Sequence, residues 1–304
     1  MSTTHDAMAQ FQSAMQAAGL GTPRELTADG KLHRFRGDGD RKGAKNAWYC
    51  LFLDGDRPAG AFGSWRLGIR ETWCSGGDGR ALTRAERDRL AADIARAKRQ
   101  AEAERQDAQQ ATAEYARRLW HGSEPADPAH PYLVAKAVQA HGLRQRGETL
   151  FVPLGTLDRE LWNLQRIGPD GGKRFLKGSR VAGLASPIGD LEAPGRLLIC
   201  EGFSTGATLH EETGSPVLAA MNAGNLRPVA MAARALWPGA DIVVAADNDR
   251  FTKLPDGRCN PGVIFAREAA AAAGARLAVP SFPPGVDGSD FNDLARALAR
   301  RTAA

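Results

Sequence analysis

The chain has 304 residues, 43% of them hydrophobic, and a formal net charge of +5, enough apolar material for two or three cored domains. No apolar run reaches membrane-spanning length, and the N-terminus Met1-Ser2-Thr3-Thr4-His5-Asp6 lacks the basic-then-apolar order of a secretory leader, so a cytoplasmic protein without membrane attachment is expected. Cys50, Cys74, Cys200 and Cys259 are scattered without a Cys-x-x-Cys pair, which supports neither a disulfide framework nor a zinc knuckle.

From the N-terminus, Met8 to Ala18 carry a modest helical pattern, and Leu32 to Trp73 reads as a small antiparallel β unit rich in Gly and aromatics. Trp48, Tyr49, Phe52, Phe62, Trp65 and Trp73 are interleaved there with Arg34, Arg36, Arg41, Lys42, Lys45, Arg66 and Arg70. That mixture suits single-stranded nucleic acid, whose bases stack on rings and whose backbone attracts cations, and core packing explains most of the aromatics equally well. His33, Cys50 and Cys74 do not make up a metal-ligand set, and no zinc is expected. These elements place a first α+β unit at residues 1–78, with nucleic-acid binding as its candidate role.

Thr83 to Trp120 contains no Gly or Pro, and Thr83-Arg84-Ala85-Glu86 reads as a capping box opening a long helix. Its apolar positions, Leu90, Ile94, Ala97, Ala101, Tyr115 and Leu119, form too narrow a stripe for a coiled coil, so a partly exposed connector over residues 79–121 is predicted. Pro125-Ala126-Asp127-Pro128 is a break, and His130-Pro131-Tyr132-Leu133 begins a short helical unit with His130 read as a loop residue.

Leu150 to Leu154 and Leu161 to Ile167 look like strands, and Pro169-Asp170-Gly171-Gly172 turns into Lys173-Arg174-Phe175-Leu176-Lys177. Arg166, Lys173, Arg174, Lys177 and Arg180 are the densest basic patch, in a subdomain placed at residues 122–190. Strand alternation sets Lys173 and Phe175 on one face and Arg174 and Leu176 on the other, so not every cation can point at one substrate. The alternative is a solvated hairpin with ordinary surface charges. Residues 1–190 hold 29 Lys and Arg against 23 Asp and Glu, whereas residues 191–304 hold 11 against 12, so the basic excess lies outside the C-terminal segment.

That last segment contains two apolar runs ending in carboxylates, Leu197-Leu198-Ile199-Cys200-Glu201-Gly202 and Ile242-Val243-Val244-Ala245-Ala246-Asp247-Asn248-Asp249. Such runs read as buried strands of a parallel sheet, and open α/β sheets bind ligands at the carboxyl ends of their strands. Glu201, Asp247 and Asp249 are therefore expected to meet at one edge. Mg²⁺ or Mn²⁺ is bound by one or two carboxylates together with substrate phosphates, so the cluster points to phosphoryl transfer on nucleic acid. Ser204 and Thr205 start a helix whose N-terminus also suits a phosphate. In Gly288-Ser289-Asp290-Phe291-Asn292-Asp293, Asp290 is a candidate further metal ligand or a helix cap, and Asp293 favours the positive end of the same helix.

A strand ending in Glu-Gly, a helix, and a later strand ending in Asp-x-Asp resemble the Toprim domain shared by bacterial-type primases, topoisomerases and some nucleases. Ser204-Thr205-Gly206-Ala207-Thr208-Leu209 after Glu201, Asn260-Pro261-Gly262 opening an Ala-rich helix, and the acidic group at Asp290 resemble the primase version, apart from a longer gap at Arg250 to Cys259 where a surface loop is expected. The basic strands ahead of the motif are similar to the basic subdomain of primase cores, with Lys173-Arg174-Phe175-Leu176 at the step that helps hold template or nucleotide. The resemblance covers His130 onward well and the first part weakly. It implies an α/β fold: a Rossmann-like, mostly parallel Toprim sheet over residues 191–304, preceded by the basic α+β subdomain, the helical connector and the β-rich N-terminal unit.

In function the resemblance implies a DNA primase making short RNA primers from ribonucleoside triphosphates on a single-stranded DNA template, for a plasmid, phage or integrated mobile element. Glu201, Asp247 and Asp249 would be catalytic and hold two Mg²⁺ or Mn²⁺ ions with Asp290 assisting, while Arg166, Lys173, Arg174 and Lys177 would hold nucleic acid or nucleotide. No Gly-x-x-x-x-Gly-Lys-[Ser/Thr] loop is present, so a separate helicase or a replication or conjugation protein is the expected partner. Two other readings stay open: a Toprim metal-dependent nuclease, and a non-catalytic single-strand-binding accessory.

Overall fold

The computed structural model describes residues 4–54, 57–75, 83–254 and 257–302. The chain divides into two compact units, Met1–Asp107 and Ala108–Ala304, and the division falls inside one long helix. The boundary expected at residue 78 lies outside the described residues.

In the first unit, helix α1 (Thr4–Ala17) precedes an antiparallel sheet of β1 (His33–Phe35), β2 (Ala47–Phe52), β3 (Ala59–Ser64) and β4 (Ile69–Cys74), in that spatial order. Ala7, Phe11 and Met15 recur every four residues and are the buried face of α1. Phe11 meets Tyr49, Phe62 and Trp73 edge-on at 6.1, 5.5 and 5.2 Å. Gly60 makes room for it, since a Cβ there would strike the Cys50 carbonyl oxygen and the Phe11 ring. Along β2 the alternate residues Trp48 and Cys50 face the other way, against Leu90 and Ile94 of helix α2 (Arg84–His121). Thr83 and Glu86 form the expected capping box: the Thr83 N–H donates to Glu86 at 2.7 Å and the Glu86 N–H donates back to the Thr83 hydroxyl at 3.2 Å.

Core packing thus claims most of the aromatics that were candidates for stacking bases. Trp48, Tyr49 and Phe62 are buried, whereas Trp65 is 53% exposed. Several arginines are structural too: Arg34 donates to the Lys45 carbonyl at 2.8 Å, and Arg36 and Arg66 bind the loop around buried Asp40. His33 binds Asp29 and stacks on Tyr49, and Cys50 lies in the core.

The second unit begins with the last turns of α2, where Ala116 packs with Phe151, Leu164 and Leu176. An antiparallel sheet follows in the order β5 (Glu124–Pro125), β6 (Arg144–Arg146), β7 (Thr149–Gly155), β8 (Leu161–Ile167) and β9 (Lys173–Phe175), with the short helix α3 (Pro131–Lys136) between β5 and β6. His130 is not a passive loop residue. Its ring is buried, caps α3 by accepting from the Tyr132 N–H at 3.1 Å, and reaches the Glu148 carbonyl at 3.0 Å. A buried imidazole needs partners for both nitrogens, and the turn before Pro131 supplies one.

The C-terminal sheet is formed by β10 (Ser186–Ile188), β11 (Arg196–Cys200), β12 (Val217–Ala219), β13 (Asp241–Ala245) and β14 (Arg276–Ala278), in the order β10-β12-β11-β13-β14. Only β10 runs antiparallel. Both faces are covered. Helices α5 (Ala223–Leu236) and α6 (Pro261–Ala273) bury Leu197, Ile199, Ile242 and Val244, and α4 (Phe203–Thr213) together with the antiparallel sheet buries Leu198, Cys200, Val243 and Ala245. Helix α7 (Phe291–Thr302) lies beside α4. Buried Asn225 fastens the turn before β10 to the end of β12: its amide donates to the Leu184 and Ala220 carbonyls at 2.8 and 2.7 Å and accepts from the Gly183 N–H at 2.7 Å. Among the described residues no helix is long and apolar enough to cross a membrane.

Candidate active site at the carboxyl edge of the parallel sheet

The register of β11 against β13 pairs Ile199 with Val244, so Glu201 and Asp247, two and three residues on, leave the sheet side by side. Burial and the charge of Asp249 push the Glu201 carboxyl up to about 7. Burial, then Glu201, Asp290 and Asp249, push Asp247 up to about 8, with the Lys173 ammonium working the other way. One oxygen of each, Glu201 Oε1 and Asp247 Oδ1, is buried with no hydrogen-bond partner. Two like-charged carboxyls drawn out of water and left unpaired favour a proton or a cation, so the donor set fits a hard divalent ion.

Glu201, Asp247 and Asp249 act on one another electrostatically at this edge, yet they do not close a cage. Among the described residues no three His, Cys, Asp or Glu side chains come together as a group able to hold a metal ion. Asp290 has both oxygens engaged by protein: Oδ1 caps α7 by accepting from the Asp293 N–H at 2.8 Å, and Oδ2 accepts from the Thr205 hydroxyl at 3.0 Å. The capping role therefore exists alongside its electrostatic coupling to Asp247. Asp293 reciprocates by accepting from the Ser289 N–H at 3.2 Å. Helix α4 is capped by Gly202 without a side-chain bond, and Ser204 and Thr205 are buried in its first turn.

The turn after β13 is fixed by side-chain amides. The Asn248 N–H donates to the Ser289 carbonyl at 2.5 Å, its amide donates to Pro280 at 3.0 Å, and Asn260 donates to its oxygen at 2.8 Å. Asn260 caps α6 from a left-handed conformation at φ 65°. Gly262 in the first turn of α6 lies against the backbone of Asp247, where a Cβ would collide with the Asp247 carbonyl oxygen.

The basic residues separate as strand alternation requires. Arg166 pairs across the strands with Arg174 and with Phe151, which puts both arginines on the face that packs against α2. Lys173 lies on the opposite face, its charge lowers the Asp247 pKa, and its ammonium is 5.4 Å from the Tyr132 ring. Lys177 is exposed beyond β9, and its carbonyl accepts from Thr112 at 3.4 Å. Of the four, Lys173 is the one whose charge is felt at Asp247. Sequence reading missed the ties of Thr205 to Asp290 and of Asn292 to Lys136, the latter a 2.7 Å bond from α7 to the carbonyl ending α3. Asn and Thr at helix starts carry no signal that separates such ties from ordinary capping.

The parallel strands of the C-terminal sheet, with Glu201 and Asp247 at their carboxyl edge, lie in the segment, residues 196–300, that matches the Toprim domain family. Over 286 residues, or 91% of its length, the chain is 38% identical to a DNA primase TraC of Escherichia coli, and it is 35% identical to a second, over 90% of its length. Residues 196–300 are thus similar to Toprim domains, and the chain along most of its length is similar to part of two DNA primases. The matched region is 26% and 20% of those two relatives. Among solved structures, the primase fragment of the bacteriophage T7 primase-helicase protein aligns with 60% of this chain and 77% of its own, at 12% identity and a TM-score of 0.41. The DnaG catalytic core aligns with 56% and 58% respectively, at 16% identity and a TM-score of 0.35.

Proposed function

We propose that this chain is a DNA primase that makes short RNA primers on single-stranded DNA, serving the replication or transfer of a plasmid, phage or integrated mobile element. The observation that carries this reading is the pairing of half-buried Glu201 and Asp247, each with one buried and unsatisfied oxygen, with the Lys173 charge acting on Asp247 from the neighbouring antiparallel sheet. The similarity to two DNA primases supports it.

In this reading Glu201, Asp247 and Asp249 hold Mg²⁺ or Mn²⁺, which when bound would polarise the α-phosphate of the incoming nucleotide and neutralise departing pyrophosphate. Glu201 either ligates the ion directly or through water, or, in its ionised form made more basic by burial, assists removal of the proton from the attacking 3′-hydroxyl. Lys173 holds the triphosphate or template phosphates on the carboxylate side. Arg166 and Arg174, on the other face, and Lys177 guide the template farther from the chemistry. Asp290 assists by adding negative charge beside Asp247 while fixing the starts of α4 and α7. Unwinding is left to a separate helicase or to a replication or conjugation protein, and the protein works in the cytoplasm.

The test is incubation with single-stranded DNA, four labelled ribonucleotides and Mg²⁺ or Mn²⁺, beside an Asp247→Ala control. Short labelled products that need template, metal and Asp247 are expected. A shortened template without triphosphates would identify a nuclease, and template binding that survives chelation without any product would identify an accessory protein.

A further inference from the structure

The turn that follows Asp249 carries an aromatic ring that the chemistry above leaves unused. Phe251 is 81% exposed, the most of any large hydrophobic among the described residues, and it stands two positions beyond Asp249. Its mount is firm. Asn248 is held by Ser289, Pro280 and Asn260, the Thr252 N–H donates to the Asp249 carbonyl at 2.8 Å, and the Asn260 N–H donates to the Thr252 carbonyl at 2.9 Å. The Arg250 guanidinium lies over two rings, 5.0 Å from the centroid of Phe251 and 5.3 Å from that of Phe282, and donates to the Val286 carbonyl at 3.0 Å. A cation thus backs an otherwise open π face beside the carboxylates.

We propose that Phe251 is the platform on which a nucleobase stacks while its phosphates lie toward Glu201, Asp247 and Asp249. The inference rests on the nucleic-acid reading of that centre and adds the group that holds the base. A base has two apolar π faces that any exposed ring can match, and its phosphates are drawn to the ion that the carboxylates would hold. The base belongs either to the incoming nucleotide or to the template, and the two are told apart by binding.

Phe251→Ala, Phe251→Leu and Phe251→Trp are compared with the unaltered protein in two equilibrium measurements that need no turnover. One is anisotropy of a labelled oligo(dT) with Mg²⁺, and the other is calorimetric binding of ATP with Mn²⁺. In one arm Phe251→Ala weakens binding about tenfold, the scale of one lost stacking contact, Phe251→Leu is equally weak, and Phe251→Trp binds at least as tightly as Phe; the arm that responds names the source of the base. Binding within twofold for Phe251→Ala in both arms, or full retention by Phe251→Leu, overturns the platform. Responsive binding in a protein that makes no primer would sink the primase reading and leave the platform standing, whereas primer synthesis with indifferent variants would sink the platform alone. All three variants keep their melting temperature, because the ring buries little surface.

Discussion

The Thr205 hydroxyl donates to Asp290 Oδ2 at 3.0 Å, so the helix that follows Glu201 and the helix that opens at Phe291 are joined by one carboxylate. Asp290→Ala removes that bond and the cap on α7 together, and a loss of about 1–2 kcal/mol of stability is expected in a urea melt. Asp290→Asn keeps one acceptor oxygen for the Asp293 N–H, and its NH2 can donate to the Thr205 hydroxyl oxygen instead, which restores most of that stability. If the charge of Asp290 also helps hold the ion, the Asn variant folds normally but needs more Mg²⁺ for half-maximal synthesis; an unchanged Mg²⁺ requirement would leave Asp290 as a cap only.

Glu201 and Asp247 make stability depend on pH in a direction opposite to most carboxylates. Their folded values of about 7 and about 8 lie above the ordinary 4.5 and 3.8, so the folded protein binds protons more tightly than the unfolded chain. Their favourable contribution is complete below about pH 4 and is lost as the pH rises through about 7 and 8. In EDTA, this pair lowers the melting temperature between pH 5 and pH 8.5, and Mg²⁺ or Mn²⁺ restores it most at the alkaline end. Asp247→Asn melts higher than the unaltered protein at pH 8 without metal and responds little to Mg²⁺. A melting curve for that variant with the same pH and metal dependence would refute the assignment.

The two faces of the basic sheet give separable phenotypes. Lys173→Ala, on the carboxylate face, is expected to cut primer synthesis about a hundredfold, since it removes a preorganised positive charge from the reacting phosphates. Arg166→Ala and Arg174→Ala lie on the other face. Each should leave turnover at saturating template within a few-fold and lower the salt slope of DNA binding by about one. Equal loss of turnover for all three substitutions would contradict the geometry.

In the N-terminal unit, Trp65 is exposed with the Arg34 guanidinium 4.6 Å from its ring, and it leans on buried Trp48 at 6.0 Å. Trp65→Ala is expected to weaken single-strand binding about fivefold to tenfold while melting unchanged. Trp48→Ala, by contrast, removes a core residue and costs about 3–5 kcal/mol. Single-strand affinity unaltered by Trp65→Ala would assign the ring to packing alone.

Much of this architecture was legible because its signals are periodic. The two β-rich runs ending at Glu201 and Asp247 specify parallel strands and place their carboxylates at one edge, and the Thr83–Glu86 pair specifies the start of α2. Alternation alone anticipated that Lys173 and Arg174 point apart. What stayed illegible depends on side chains distant in sequence. Nothing around Asn225 announces three bonds to backbone, and nothing around His130 announces burial. The arginines at Arg34, Arg36 and Arg66 looked like nucleic-acid contacts, but their guanidinium groups are used on loop carbonyls and Asp40. The aromatic count likewise overstated the free rings, because a small sheet with helices on both faces needs bulky residues to fill it.

The contact between Gly262 and the Asp247 carbonyl gives the protein a point of fragility that is invisible in any survey of charged or polar residues. A single methyl group at Gly262 carries no charge and forms no contact with substrate, yet to be accommodated it must push the end of β13 or the first turn of α6 out of place. Genetic screens for loss of function should therefore recover alanine at this glycine alongside substitutions of the acidic residues, and suppressors of it should fall in the first turns of α6 rather than in the acidic centre.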